Sequence, residues 1–183
     1  MKAHTALLVI DVQESFRHRP NFVADETPAF FDRINRLIAG FADSGAPVVR
    51  ILHVESDGAF SHASGFVKAM PEVAYEPTVT FEKNVHSALV GTGLHGWLTR
   101  HGIRRLAIAG IRTEQCCETT TRHASDLGFE VDYVTEATLT FPMTTTRGSR
   151  FSAADLRERT ELVLAGRFAT IATADEALAR ISS

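Results

Sequence analysis

Leu106-Ala107-Ile108-Ala109-Gly110-Ile111-Arg112-Thr113-Glu114-Gln115-Cys116-Cys117-Glu118 is the stretch on which the reading of this chain turns. From Leu106 to Ile111 it is apolar, as in a strand buried on both faces. The run breaks at Gly110 and enters, through Thr113, a polar segment competent for helix. A thiol, Cys116, is thereby delivered to the first turn of a helix just beyond a strand. Unpaired N–H groups and the positive end of the helix dipole favour thiolate over thiol there. The same N–H groups can hold an oxyanion. The stretch points to an enzyme with a cysteine nucleophile.

Working outward, strand and helix alternate along the chain. Thr5–Ile10 (TALLVI) is an apolar run that ends at Asp11. Thr27-Pro28 opens a helix with a capping residue followed by proline at the first position. Phe30, Phe31, Ile34, Leu37, Ile38 and Phe41 then recur at helical spacing until Gly45-Ala46-Pro47. Further strands are expected at residues 48–54, 79–81, 105–110, 129–135 and 168–172. Helices are expected at residues 92–101, 113–127, 152–164 and 175–181. Residues 55–78 carry glycines and two prolines without a sustained period. They read as a long loop, of the kind that usually serves function. The alternation argues for an α/β fold with a mostly parallel sheet covered on both faces, in one domain over residues 1–183. Sites in such folds lie at the carboxyl ends of strands. Asp11, Lys83 and Cys116 all fall at or close to such ends.

Composition narrows the partners. The 183 residues are 44% hydrophobic and 22% charged with a net charge of −3, an ordinary balance for a soluble globular protein. Basic residues are scattered, Arg104-Arg105 being the densest pair, so no nucleic-acid footprint is expected. No apolar run approaches the roughly 20 residues that span a bilayer. The opening Met1-Lys2-Ala3-His4 lacks the organisation of a signal peptide, so a cytoplasmic location is expected. The only two cysteines are adjacent, which rules out a disulfide framework. Neighbouring Cα atoms lie about 3.8 Å apart, too close for a comfortable disulfide. The pair also lacks the spacing of a zinc clip.

A cysteine is only a few per cent thiolate at neutral pH and needs a base, a cation, or both. Asp11 can supply the base and Lys83 the cation. Taken singly, Asp11 also reads as a strand-end turn residue and Lys83 as a solvated surface lysine. The ordered set resembles the isochorismatase-like cysteine hydrolases. It consists of Leu7-Leu8-Val9-Ile10-Asp11-Val12-Gln13 with Phe16, Lys83 with Ser87-Ala88, and Gly91-Thr92-Gly93-Leu94. Gly110-Ile111-Arg112-Thr113 follows with Cys116, Glu118, Thr119, Thr120 and Arg122, then Gly128-Phe129-Glu130-Val131 and Glu136-Ala137-Thr138. The resemblance implies a three-layer αβα, Rossmann-like fold with a six-stranded, mostly parallel sheet. It implies a triad on Asp11, Lys83 and Cys116, with Cys117 as the small apolar follower. It further implies a cis peptide between Ile111 and Arg112, and an oxyanion hole from the N–H groups of Arg112 and Cys116. A homodimer or homotetramer acting on a small molecule is implied as well. The reaction implied is hydrolysis of a C–N bond in an amide, ureido or carbamoyl compound through a thioester.

The chain departs from relatives in two places. Metal-dependent nicotinamidases of the family carry Asp-x-His with a second histidine, whereas this chain has His53-Val54-Glu55-Ser56-Asp57-Gly58. His53 and Glu55 would share a strand face, yet no metal and no cofactor are expected. Arg112 stands where many relatives carry a small residue. Its guanidinium could clamp a substrate carboxylate through two hydrogen bonds, or pair with Glu114 or Glu118. Phe16, His86 and Arg112 are expected to bind substrate. The loop aromatics Phe22, Phe60, Phe66 and Phe141 suit core cover equally well. Two other functions fit the same residues less well. Vinyl ether hydrolysis of the isochorismatase type needs no Cys116. A non-catalytic small-molecule binding protein needs none of the three reactive groups.

Overall fold

A computed structural model describes residues 4–181, so the expectation placed on the first three residues lies outside the described residues. In chain order the elements are β1 (Thr5–Ile10), α1 (Thr27–Asp43), β2 (Val48–His53), β3 (Val79–Lys83), α2 (Leu94–Arg100) and β4 (Arg105–Ile111). Then come α3 (Glu118–Asp126), β5 (Glu130–Leu139), β6 (Met143–Thr144), β7 (Arg150–Phe151), α4 (Ala153–Leu164), β8 (Thr170–Ile171) and α5 (Ala174–Ala179). Six strands form one sheet in the order β3-β2-β1-β4-β5-β8. Every pairing in it is parallel.

Burial on both faces explains why the central strands are apolar at successive positions. Side chains alternate between faces with a period of two. Leu7 and Val9 therefore pack with Phe30, Ile34, Leu37 and Phe41 of α1. Ala6, Leu8 and Ile10 pack on the opposite face with Leu94, Leu98, Ile108 and Ala124. At the edge, β3 exposes Thr80 and Glu82 but buries its last residue, Lys83.

The largest departure from expectation lies in β5, which runs to Leu139 rather than to residue 135. Ile108 pairs with Tyr133, but Gly110 pairs with Thr138, so β5 carries a bulge opposite Ala109. Beside it β4 closes on β1: a Cβ on Gly110 would lie 2.0 Å from the Ile10 carbonyl oxygen. Gly110 also has φ of 134°, which side chains rarely adopt. The helix expected from residue 113 begins as a π-helical turn, Thr113–Cys117, before α3. α2 starts later than expected, at Leu94, with Gly93 as its N-cap. The loop over residues 55–78 contains short 3₁₀ turns at Gly58–Phe60 and His62–Ser64. It is tied to the loop after β1 through a bridge between Gln13 and Ala69.

All the sheet's strands point their carboxyl ends the same way. The chain leaves β1 toward β2 and β3, then crosses back to β4 on the other side. β1 and β4 thus flank the topological switch point, where such folds form their clefts.

Candidate active site

Asp11 follows β1 directly, and its backbone turns into the left-handed region with φ of 54°. Aspartate tolerates that conformation better than most residues. Its N–H donates to the Ile51 carbonyl at 2.9 Å, which fixes the turn against β2. Lys83 ends β3 and reaches across β2. Its Nζ lies 2.7 Å from Asp11 Oδ2, with both side chains fully buried. The same Nζ donates to Cys116 Sγ at 3.3 Å and contacts His53 Nδ1 at 2.9 Å.

The turn that carries Cys116 is held from several sides. The Arg112 carbonyl accepts the N–H groups of Gln115 and Cys117, both at 3.2 Å. Tyr133 donates its hydroxyl to the Thr113 carbonyl at 2.7 Å, and the hydroxyls of Thr113 and Thr138 meet at 2.7 Å. The bulge in β5 is what brings Thr138 level with Gly110 and within reach of this turn. The Ile111–Arg112 peptide is cis. Cys116 borders a cavity, whereas Cys117 is fully buried in the core beneath.

Burial pushes the Cys116 thiol up to about 12, with the Asp11 carboxylate adding to the rise and Lys83 opposing it. The expected preference for thiolate at a helix start is thus outweighed by desolvation, which disfavours the charged form. Burial likewise raises the Asp11 carboxyl, against the pull of Lys83. A carboxylate in that state binds a proton more readily than a solvated one. Burying Asp11 and Lys83 together sacrifices hydration that their attraction only partly returns, an arrangement suited to chemistry better than to stability.

A cavity of about 340 Å³ opens over the thiol and is lined in part by Asp11, Phe16, His53, His86, Arg112 and Cys116. The structure therefore brings all the sequence-derived site residues together except Lys83, which lies behind Asp11 and Cys116. His86 Nδ1 is 3.7 Å from Cys116 Sγ. Arg112 is engaged: its Nη2 lies 3.1 Å from Glu114 Oε1, 3.2 Å from Thr140 Oγ1 and 3.0 Å from the Phe141 carbonyl. Glu118 pairs instead with Arg122 and Arg159. Phe60 and Phe141 line the cavity, and Phe22 packs behind Phe141. Phe66 stacks on His18.

Sequence reasoning missed Arg19, Asn21 and Gln115, which also line the cavity. Arg19 pairs with Glu55 at 2.8 Å and lies over the Phe60 ring. Their position in loops after β1 and β4 was the one available signal. Gln13 holds the backbone of His53. Its side chain accepts the His53 N–H at 2.7 Å and donates to the His53 carbonyl at 3.0 Å.

Asp11, His53 and Cys116 offer possible metal-ligand atoms within 4.8 Å of one another. The Lys83 ammonium contacts all three and occupies the place a metal would need. This donor set does not fit a resident metal.

Fold and site define a class: a three-layer α/β protein with a cysteine, a carboxylate and a lysine gathered at the switch point. An isochorismatase domain model matches residues 5–176, and the chain belongs to the isochorismatase family of hydrolases. It is 28% identical over 184 residues to YrdC, an isochorismatase-family protein of Bacillus subtilis (strain 168), covering 96% of this chain and 95% of that one. It is 29% identical over 176 residues to streptothricin hydrolase of Streptomyces noursei, covering 93% of this chain and 60% of the hydrolase. The crystal structure of an isochorismatase-family protein from Chromobacterium violaceum ATCC 12472 superposes with a TM-score of 0.89 at 26% identity. That superposition covers 100% of this chain and 96% of the other.

Proposed function

We propose that the protein is a cysteine-dependent hydrolase that cleaves a C–N bond of a small amide, ureido or carbamoyl compound through a thioester. The observation that carries this reading is that Asp11 and Cys116 line one cavity while the buried Lys83 ammonium touches both of them. The cavity volume, about 340 Å³, suits a small molecule. The similarity to streptothricin hydrolase supports hydrolysis.

Asp11 removes the thiol proton as Cys116 Sγ attacks the substrate carbonyl carbon, and Lys83 stabilises the negative charge shared between them. The N–H groups of Arg112 and Cys116 receive the oxyanion. Asp11 then returns its proton to the departing nitrogen as the C–N bond breaks. Water, deprotonated by the same carboxylate, attacks the thioester carbonyl. The thiolate leaves and recovers a proton, so one water is consumed and an acid and an amine or ammonia are released. The Glu114 pair reduces what Arg112 can offer a substrate carboxylate. Neutral and acidic amides are therefore both candidate substrates.

An ammonia-release screen over amides, ureido acids and carbamoyl compounds tests the reading. With a responding compound in hand, Cys116→Ala is expected to lower turnover on the order of 10³-fold or more. Cys117→Ala should leave most of it. Turnover retained in Cys116→Ala would sink the assignment.

A further inference from the structure

A buried ammonium carries three N–H donors and needs three acceptors. Asp11 Oδ2 and Cys116 Sγ supply two of them for Lys83. We infer that His53 is a positioning residue whose unprotonated Nδ1 is the third acceptor, aiming the Lys83 ammonium at Asp11 and Cys116. The catalytic consequence of this inference rests on the cysteine-hydrolase reading; the contact itself does not.

Register makes the contact. In the parallel pairing of β2 with β3, His53 stands opposite Lys83. The two side chains therefore leave the same face of neighbouring strands, and His53 Nδ1 meets Lys83 Nζ at 2.9 Å. Gln13 grips the backbone N–H and carbonyl of His53. The imidazole packs edge-on against Phe60, with ring centroids 5.8 Å apart. Ring position is thus set independently of Lys83.

Two observations fix the tautomer. An ammonium has no lone pair, so Nδ1 must accept. On the far side of the ring, Nε2 lies 3.7 Å from Glu55 Oε1, where an N–H faces a carboxylate. Protonating Nδ1 would set two cationic N–H donors against each other. Burial, followed by the charges of Lys83, His86 and Arg19, holds the imidazole down at about 4. The negative groups facing it are Glu55 and Asp11, with the Cys116 sulfur beside them. The imidazole is consequently neutral across the physiological range.

The test uses the full-length protein labelled with ¹⁵N-histidine, with the His53 resonances assigned by loss in His53→Asn. The Nε2–H tautomer with unprotonated Nδ1 is expected from pH 8 down to below pH 5. In Lys83→Met the ring should titrate at higher pH than in wild type. A protonated Nδ1 in the neutral ring of wild type, or wild-type titration near 6.5, would overturn the inference. Kinetics add a second readout, because a displacement of about 1 Å near reacting groups can cost on the order of 100-fold in rate. His53→Leu should lose on the order of 100-fold in kcat/KM. His53→Asn, whose amide oxygen can stand where Nδ1 does, should recover at least tenfold of that loss. Equal loss in both variants would also contradict the inference. If no substrate is turned over at all, the catalytic reading fails while the tautomer measurement still decides the role of His53.

Discussion

Asp11 and Cys116, both touched by the Lys83 ammonium, set the character of the site. Burial and the Asp11 carboxylate hold the thiol up at about 12, and burial raises the Asp11 carboxyl too. On the proposed mechanism the nucleophile is formed during attack, with Asp11 as acceptor, rather than stored as a thiolate. Asp11→Asn keeps the shape and removes the base, and should lower kcat/KM by about 10²–10⁴-fold. Because it also strips Lys83 of its counter-charge, the melting temperature should fall; retained circular dichroism with lost turnover separates the two effects. Turnover within a few-fold of wild type would exclude Asp11 as the base. The meeting of Asp11, Lys83 and Cys116 was legible in the sequence because each falls at, or within a few residues of, the carboxyl end of an expected strand. Arg112 was legible only as a choice between partners. Glu114 was selected because Thr140, brought in by the bulged strand, receives Arg112 and itself donates to Glu114. No local pattern encodes that contact.

Among the elements, α1 was legible because six apolar residues at helical spacing have one packed arrangement against β1. The end of β5 was not, because a bulge changes pairing without changing composition. The π-helical turn at Thr113–Cys117 cannot be told from ordinary helix in the sequence, since five residues are too few to reveal a change of period. The two-residue strands β6 and β7 are exposed and have no alternation to detect. Gly110 shows what local geometry demands. Gly110→Ala places a methyl 2.0 Å from the Ile10 carbonyl oxygen, where backbone must move. A loss of about 3 kcal/mol or more is expected in urea unfolding. Gly45→Ala has a similar backbone requirement, with φ of 73°, but nothing lies within 4 Å of the added carbon. It should cost about 1–2 kcal/mol. Equal costs would show that the closeness of β4 to β1 does not govern the site's frame.

At the scale of the whole molecule, strand order does what no single residue can. Lys83, His53, Asp11 and Cys116 come from four neighbouring strands or the turns that follow them, β3-β2-β1-β4. A wholly parallel sheet delivers them to one edge. The sequence revealed the alternation that requires such a sheet. It could not reveal the residues that only the assembled edge brings together, as with Arg19 and Asn21 at the cavity wall. Among the described residues no helix is long and apolar enough to cross a membrane. On the proposed function this edge assembles a nucleophilic cysteine at position 116, rather than at 117. Acid-quenching the enzyme during turnover of a responding amide, followed by intact-mass and peptide mapping, tests it most directly. The expected result is an added mass equal to the substrate's acyl group, located on Cys116 and absent from Asp11→Asn. An adduct on Cys117, or full turnover in Cys116→Ala, would contradict it.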